Sequence, residues 1–186
     1  GSSISAIKDG KCLDTSMGFT PLDGFIMGTR SGGVDPSVIT YLQEKEGLTP
    51  AQTVEMLNKK SGFLGLSGIS SDARDIEAAA DEGNKRAQLT VDIVRYQVKK
   101  FIGAYAAAMG GVDAVIFTGG IGENSAELRE EVCLNMEFLG LEIDVEKNKE
   151  YNRTEGCFSK ENSRVKAWII PTNEELLIAR DTLELA

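Results

Sequence analysis

Between residues 84 and 109, Ala87, Val91, Val94, Val98, Phe101, Tyr105 and Met109 recur at spacings of three and four, while Asp92, Arg95 and Lys99 lie off that stripe. The repeat matches the period of an α-helix and predicts a long amphipathic helix, its apolar face turned to a core. An oligomer contact is the other use such a stripe serves. Gly110 and Gly111 end the helix, and residues 113–118 (D-A-V-I-F-T) form a short apolar run of the kind found in a buried strand. A second helix is expected from about residue 124 to 136. Residues 141–143 suggest a short strand, 144–163 are polar and turn-like, and 165–170 read as a strand that Pro171 stops. Residues 173–185 close the chain as a helix.

Upstream of the long helix, residues 2–16 predict a β-hairpin about Asp9-Gly10, a pair suited to the positive dihedrals of a tight turn. Residues 19–36 are rich in glycine and turn formers and predict a shaped loop. Asp35 before Pro36 and Thr49 before Pro50 are capping side chains ahead of prolines that suit the first helical position, so helices are expected near 36–46 and 50–60. Gly62, Gly65 and Gly68 break a mostly apolar stretch before Ser71 and Asp72 open a further short helical segment. Strands alternating with helices define an α/β chain, its sheet flanked by helices.

Composition narrows the chemistry. At 186 residues and 41% apolar, the chain buries one substantial core, and one domain is the starting assumption. Twenty basic against 29 acidic residues leave a net charge of −9 without a basic cluster, which argues against a nucleic-acid partner. No apolar run reaches the roughly 20 residues that span a bilayer, so a soluble, cytoplasmic protein without a membrane partner is expected. Cys12, Cys133 and Cys157 are odd in number and widely spaced, which suits buried or inert thiols. The absence of histidine excludes Ser-His-Asp and Cys-His nucleophiles and His-ligated metals within this chain.

Four segments could carry chemistry with what remains. Residues 115–124 (V-I-F-T-G-G-I-G-E-N) pass from a strand through a glycine-rich turn into a helix start, where backbone amides favour an anion such as phosphate. The spacing is neither that of a P-loop nor that of a dinucleotide fingerprint. Asn124 with Glu127 also makes a plausible helix cap. At 171–176 (P-T-N-E-E-L), Thr172 as cap would engage Glu175 at the third position, leaving Glu174 either to hold Mg²⁺ or to serve as a dipole partner. Arg30, between Gly28 and Gly32-Gly33, suits a transferring phosphoryl group, or is a surface arginine in a turn. Asp72 and Arg74 could meet a ribose hydroxyl and an adenine ring, or simply cap a helix.

Taken in order, D-T-S-M-G-F-T-P-L-D-G at 14–24, M-G-T-R-S-G at 27–32, N-K-K-S-G at 58–62, S-D-A-R-D at 71–75, V-K-K-F-I-G at 98–103, F-T-G-G-I-G-E-N at 117–124 and P-T-N-E-E-L at 171–176 resemble the acetate kinases, with the related propionate and butyrate kinases. The resemblance implies an actin/Hsp70/sugar-kinase-like (ribonuclease H-like) ATPase lobe with a mixed sheet and flanking helices. It implies ATP/ADP and Mg²⁺ as cofactors, acetate as acceptor and a homodimer. Gly119, Gly120, Ile121, Gly122 and Asn124 would border the nucleotide, Arg30 would be the active-site arginine, and Glu174 would position Mg²⁺. Asp72, Ala73 and Arg74 would line the adenosine pocket, with Ala73 standing where some members carry a larger apolar residue. Gly1-Ser2-Ser3 matches the end of the family's phosphate-binding H-x-G-N-G-S-S, which places Gly1 near the phosphates. The chain is accordingly expected to be the C-terminal lobe, mainly helical at about 36–110, with the N-terminal lobe and its acetate pocket outside it. A non-catalytic nucleotide-binding or dimerisation module is the rival reading.

Overall fold

The computed structural model describes residues 1–151 and 154–185. It divides into two compact units, Gly1–Gly110 and Gly111–Ala186.

The first unit opens with the expected hairpin, β1 (Ser5–Lys8) antiparallel to β2 (Lys11–Thr15). Asp9 and Gly10 both take positive φ, 52° and 73°, the backbone a two-residue hairpin turn of this hand requires. Helices α1 (Pro36–Glu46) and α2 (Pro50–Lys59) start where their prolines predicted. Asp35 accepts the Ser37 amide, and Thr49 forms a reciprocal capping box with Gln52. The glycine-broken stretch is itself a short helix, α3 (Gly62–Ser67), because the Ser61, Phe63 and Leu64 amides bond to residues 27–29 and hold the turn where propensity alone would not. Helix α4 (Ala73–Asp81) follows, and then α5 (Lys85–Met109), the long helix. The stripe on α5 faces the core: Ala87, Val91, Val94, Val98 and Tyr105 are buried, while Phe101 is half-buried between the rings of Phe25 and Tyr105. The Gln97 carboxamide oxygen accepts the Ile26 amide at 2.8 Å and anchors the 25–33 loop to this helix.

In the second unit a three-stranded mixed sheet has the order β3-β5-β4, with β3 (Ala114–Phe117) parallel to β5 (Lys166–Ile169) and β4 (Gly156–Cys157) antiparallel to β5. Strand β3 is less buried than its apolar run suggested. It lies at the edge of this sheet, Phe117 alone is buried and Ile116 is 54% exposed. The helix expected over 124–136 is two helices, α6 (Gly119–Asn124) and α7 (Ala126–Cys133). Ser125 separates them with an extended ψ of 95° and caps α7 by accepting the Leu128 amide, so Asn124 ends α6 and does not cap α7. Residues 141 and 143 make isolated bridges to Val165 and Ser159, not a strand. Within the stretch expected to be turn-like lies α8 (Val145–Glu150), capped by Asp144; residues 152 and 153 of that stretch lie outside the described residues. The last helix, α9 (Glu174–Leu185), buries none of its side chains. Of the thiols, Cys133 is buried, Cys157 half-buried and Cys12 exposed, so inertness by burial holds for Cys133 alone.

Candidate nucleotide and phosphoryl site

Each unit carries part of the predicted chemistry. In the first, residues 27–30 form a loop held almost entirely by backbone. The Phe63 and Leu64 amides donate to Met27 O and Gly28 O at 2.9 and 3.0 Å, and the Ser61 amide donates to Thr29 O at 3.0 Å. The Thr29 hydroxyl adds a bond to Asn58 O at 2.8 Å. Gly62, at φ 59°, lies beneath this loop, where any Cβ would collide with Met27 O and come within 2.6 Å of Arg30 O. The result is a cavity of about 230 Å³ lined by Gly1, Met27, Gly28, Thr29, Arg30 and Ser71.

Arg30 is half-buried there. Its Nη1 donates to Pro21 O at 3.3 Å and sits 3.9 Å from the Met27 sulfur. Gly1 is packed against the same guanidinium: a Cβ on Gly1 would lie 2.8 Å from Nη1. Gly28 approaches Ser71 as closely, a Cβ there falling 2.7 Å from Ser71 O. The fold thus gathers Gly1, Arg30 and the segment before α4 around one cavity. The guanidinium brings donors in a fixed fork to it, the group that complements phosphoryl oxygens.

Asp72 caps α4 and pairs with its neighbour. Oδ1 accepts the Arg74 amide at 2.9 Å and Arg74 Nε at 3.0 Å, and Oδ2 accepts Arg74 Nη2. The hydrogen bond from the Arg74 side chain, followed by that from its amide, holds the Asp72 carboxyl down at about 2, and Arg74 is shifted up in return, chiefly by the same side-chain bond. The cap role foreseen for Asp72 is therefore present. Arg74 is 86% exposed, and an ion pair so open to water is cheap to rearrange around a ligand. Ala73 is the first residue of α4 and half-buried.

In the second unit, the parallel pairing of β3 with β5 sets the carboxyl ends of two adjacent strands side by side. One runs into Gly119 and the other into residues 170–174. The Ile170 amide donates to Phe117 O at 3.0 Å, and the Glu123 carboxylate completes the junction: Oε1 accepts the Gly119 amide at 2.7 Å, the Thr172 amide at 3.0 Å and the Thr172 hydroxyl at 3.2 Å. Gly119 has φ 69°, so a side chain there would strain the turn. No built Cβ at Gly119 or Gly120 would meet an atom within 4 Å, which leaves both glycines facing open space. Ile121 and Gly122 are half-buried within the turn, and the Asn124 side-chain amide donates back to Gly120 O.

The cap of α9 differs from expectation. Asn173, not Thr172, accepts the Leu176 amide at 3.0 Å, since Thr172 is committed to Glu123. Glu175 is then the second helical residue, with no capping-box role, and Glu174 is the first, exposed at the junction. Among the described residues no three His, Cys, Asp or Glu side chains gather as a metal cage. One exposed carboxylate at Glu174 fits an ion such as Mg²⁺ that keeps most of its ligands from phosphates and water.

Two residues of the second unit, Glu123 and Arg129, carry no signal in the sequence strong enough to assign them. Glu123 lies inside the glycine-rich segment, where its spacing points to no role. Arg129, in the acidic run E-L-R-E-E, looks like part of a solvated face, and only its place one turn after Ser125, beside Leu128 and Val132, hints that it points inward.

The acetate kinase of Porphyromonas gingivalis superposes with a TM-score of 0.94 at 53% identity, covering 98% of this chain and 46% of that one. A propionate kinase from Francisella tularensis gives 0.88 at 43% identity, covering 95% of this chain and 45% of that one. The fold is an actin/Hsp70/sugar-kinase-like lobe with a mixed sheet and flanking helices. The chain belongs to the acetokinase family, whose model matches residues 1–180. Acetate kinase from Caldanaerobacter subterraneus subsp. tengcongensis is 60% identical over all 186 residues, which make up 46% of that protein. The chain thus spans about half the length of the curated relatives it matches.

Proposed function

We propose that this chain is the nucleotide-binding C-terminal lobe of a cytoplasmic acetate kinase, which reversibly transfers the γ-phosphoryl group of ATP to acetate, giving acetyl phosphate and ADP. The observation that carries this is the junction at the carboxyl ends of parallel β3 and β5, where a glycine turn and a helix start are tied together by Glu123. In open α/β sheets, ligands bind beyond the carboxyl ends of the strands.

Gly119, Gly120, Ile121, Gly122 and Asn124 border the nucleotide in this reading, and Asp72, Ala73 and Arg74 serve its adenosine. Gly1 lets phosphate approach beside Arg30, whose forked donors meet the equatorial oxygens of the phosphoryl group in flight. Glu174 orients Mg²⁺, which neutralises phosphate charge when bound. The acceptor carboxylate attacks phosphorus in line, forming one P–O bond as the bond to ADP breaks. Because that nucleophile is already an anion near neutral pH, it needs no general base, and a chain without histidine loses nothing by it. The likeness to a propionate kinase keeps propionate as a second acceptor to be assayed.

Calorimetry of the 186-residue chain with ADP, with and without Mg²⁺, tests the binding half of the proposal. Binding should be detectable, strengthened by Mg²⁺, and Glu174→Ala should remove the Mg²⁺ increment while leaving metal-free binding intact. No heat of binding under any condition, or an unchanged Mg²⁺ increment in the variant, contradicts these roles. The partner in this reading is a second copy of the protein. Sedimentation at micromolar concentration should give a dimer, and a clean monomer counts against it.

A further inference from the structure

A cation is sealed beneath the Gly119–Asn124 turn. Arg129 is 1% exposed and heads the fully buried side chains in size. Its Nη1 donates to Gly122 O and Glu123 O, each at 2.9 Å; its Nη2 donates to Asn148 O at 2.9 Å and Tyr151 O at 3.0 Å; its Nε donates to Asn148 Oδ1 at 2.8 Å. Asn148, fully buried in α8, is fixed in turn by donating to Ala126 O at 2.7 Å. All five acceptors are neutral oxygens. Burial pushes the guanidinium pKa down, yet a guanidinium keeps its proton in proteins, so the site holds a buried charge.

An apolar side chain of similar volume often serves stability as well as a buried ion does, so packing alone is a poor account of this arginine. The carbonyls it takes suggest another. Gly122 and Glu123 lie in the last turn of α6, where the break at Ser125 leaves oxygens without helical amides. Three of the six residues of α6 are glycine, which gives the helix little stability of its own, and a cation at its carboxyl end complements the backbone dipole. The Glu123 carboxylate holds the first turn and Arg129 the last.

We propose that Arg129 is a positioning residue for the nucleotide turn: it sets the shape of α6, and through it the placement of Gly119 and Gly120, without touching nucleotide itself. This rests on the reading of α6 as that turn. The test uses the full-length protein with Arg129→Lys, which keeps charge but cannot span five acceptors, and Arg129→Met, which keeps apolar bulk. Both should raise KM for ATP and Kd for ADP about tenfold or more, equivalent to about 1.4 kcal/mol. KM for acetate should stay within about twofold, and Lys should retain more affinity than Met. Tm should not track the loss, Met melting no lower than Lys. A fall in Tm with nucleotide constants unchanged shows a merely structural role and overturns the inference. Asn124→Ala, measured beside them, separates the two layers. If it weakens ADP binding and the Arg129 variants do not, the positioning role fails alone; if none of the three weakens ADP binding, the reading of α6 fails and the inference with it. Should neither Arg129 variant fold, Asn148→Ser removes the acceptor of Nε and carries the same expectation, with unchanged ADP affinity as the refuting result.

Discussion

Replacing Arg30 by alanine in the full-length protein is expected to lower turnover by about 10³-fold while ATP affinity changes little. A loosely bonded, charge-dispersed phosphoryl group gives a protein little to do beyond positioning and charge compensation, and an arginine in that role is among the largest single contributions. Among the described residues the Arg30 guanidinium has weak partners, a 3.3 Å bond to Pro21 O and a sulfur contact at 3.9 Å, so it is held in place without being saturated. A loss confined to turnover identifies an interaction made in the transition state; a loss shared with KM for ATP identifies ground-state binding. Near-normal turnover in a folded Arg30→Ala variant contradicts the role.

The second large effect is structural and falls on the same loop. Gly62→Ala should destabilise the protein by about 3 kcal/mol, a substantial share of the 5–15 kcal/mol typical of a domain. Two costs combine. An L-residue at φ 59° pays for left-handed backbone, and the new methyl meets the Met27 and Arg30 carbonyls, which are backbone and cannot swing aside. Relief requires residues 27–30 to move off α3, breaking the bonds from the Phe63 and Leu64 amides and displacing Arg30. Thermal unfolding should show a clearly lowered Tm, and surviving folded protein should turn over slowly. An unshifted transition with normal turnover would show that the loop is not seated as described.

The α5 stripe is legible in the sequence because one strong period runs for about six turns, and the structure buries Ala87, Val91, Val94, Val98 and Tyr105 and half-buries Phe101 and Met109. The starts of α1 and α2 are legible because capping residues precede proline. Short elements held by distant partners are not. Helix α6 is glycine-rich, with the Glu123 carboxylate bonded at its first turn and Arg129 at its last; α8 is polar, six residues long, and pinned by the buried Asn148. Thr172 looks like a cap, yet Glu123, 49 residues earlier in the chain, takes both its amide and its hydroxyl, and the cap passes to Asn173. Long-range hydrogen bonds leave no periodicity, so neither Glu123 nor Arg129 could be assigned from spacing. Residue types such as Arg30 between glycines name candidates; the loop geometry that seats them is visible only in the fold.

The measurement closest to the central claim is acetyl phosphate formation, trapped as the hydroxamate, from Mg²⁺-ATP and acetate. The full-length protein carrying this chain should form it readily, and the 186-residue chain alone should read background, because in-line transfer needs the acceptor held and water excluded by a closing partner lobe. Failure of the full-length protein to phosphorylate acetate or propionate, or robust acetyl phosphate formation by the isolated chain, would contradict the account.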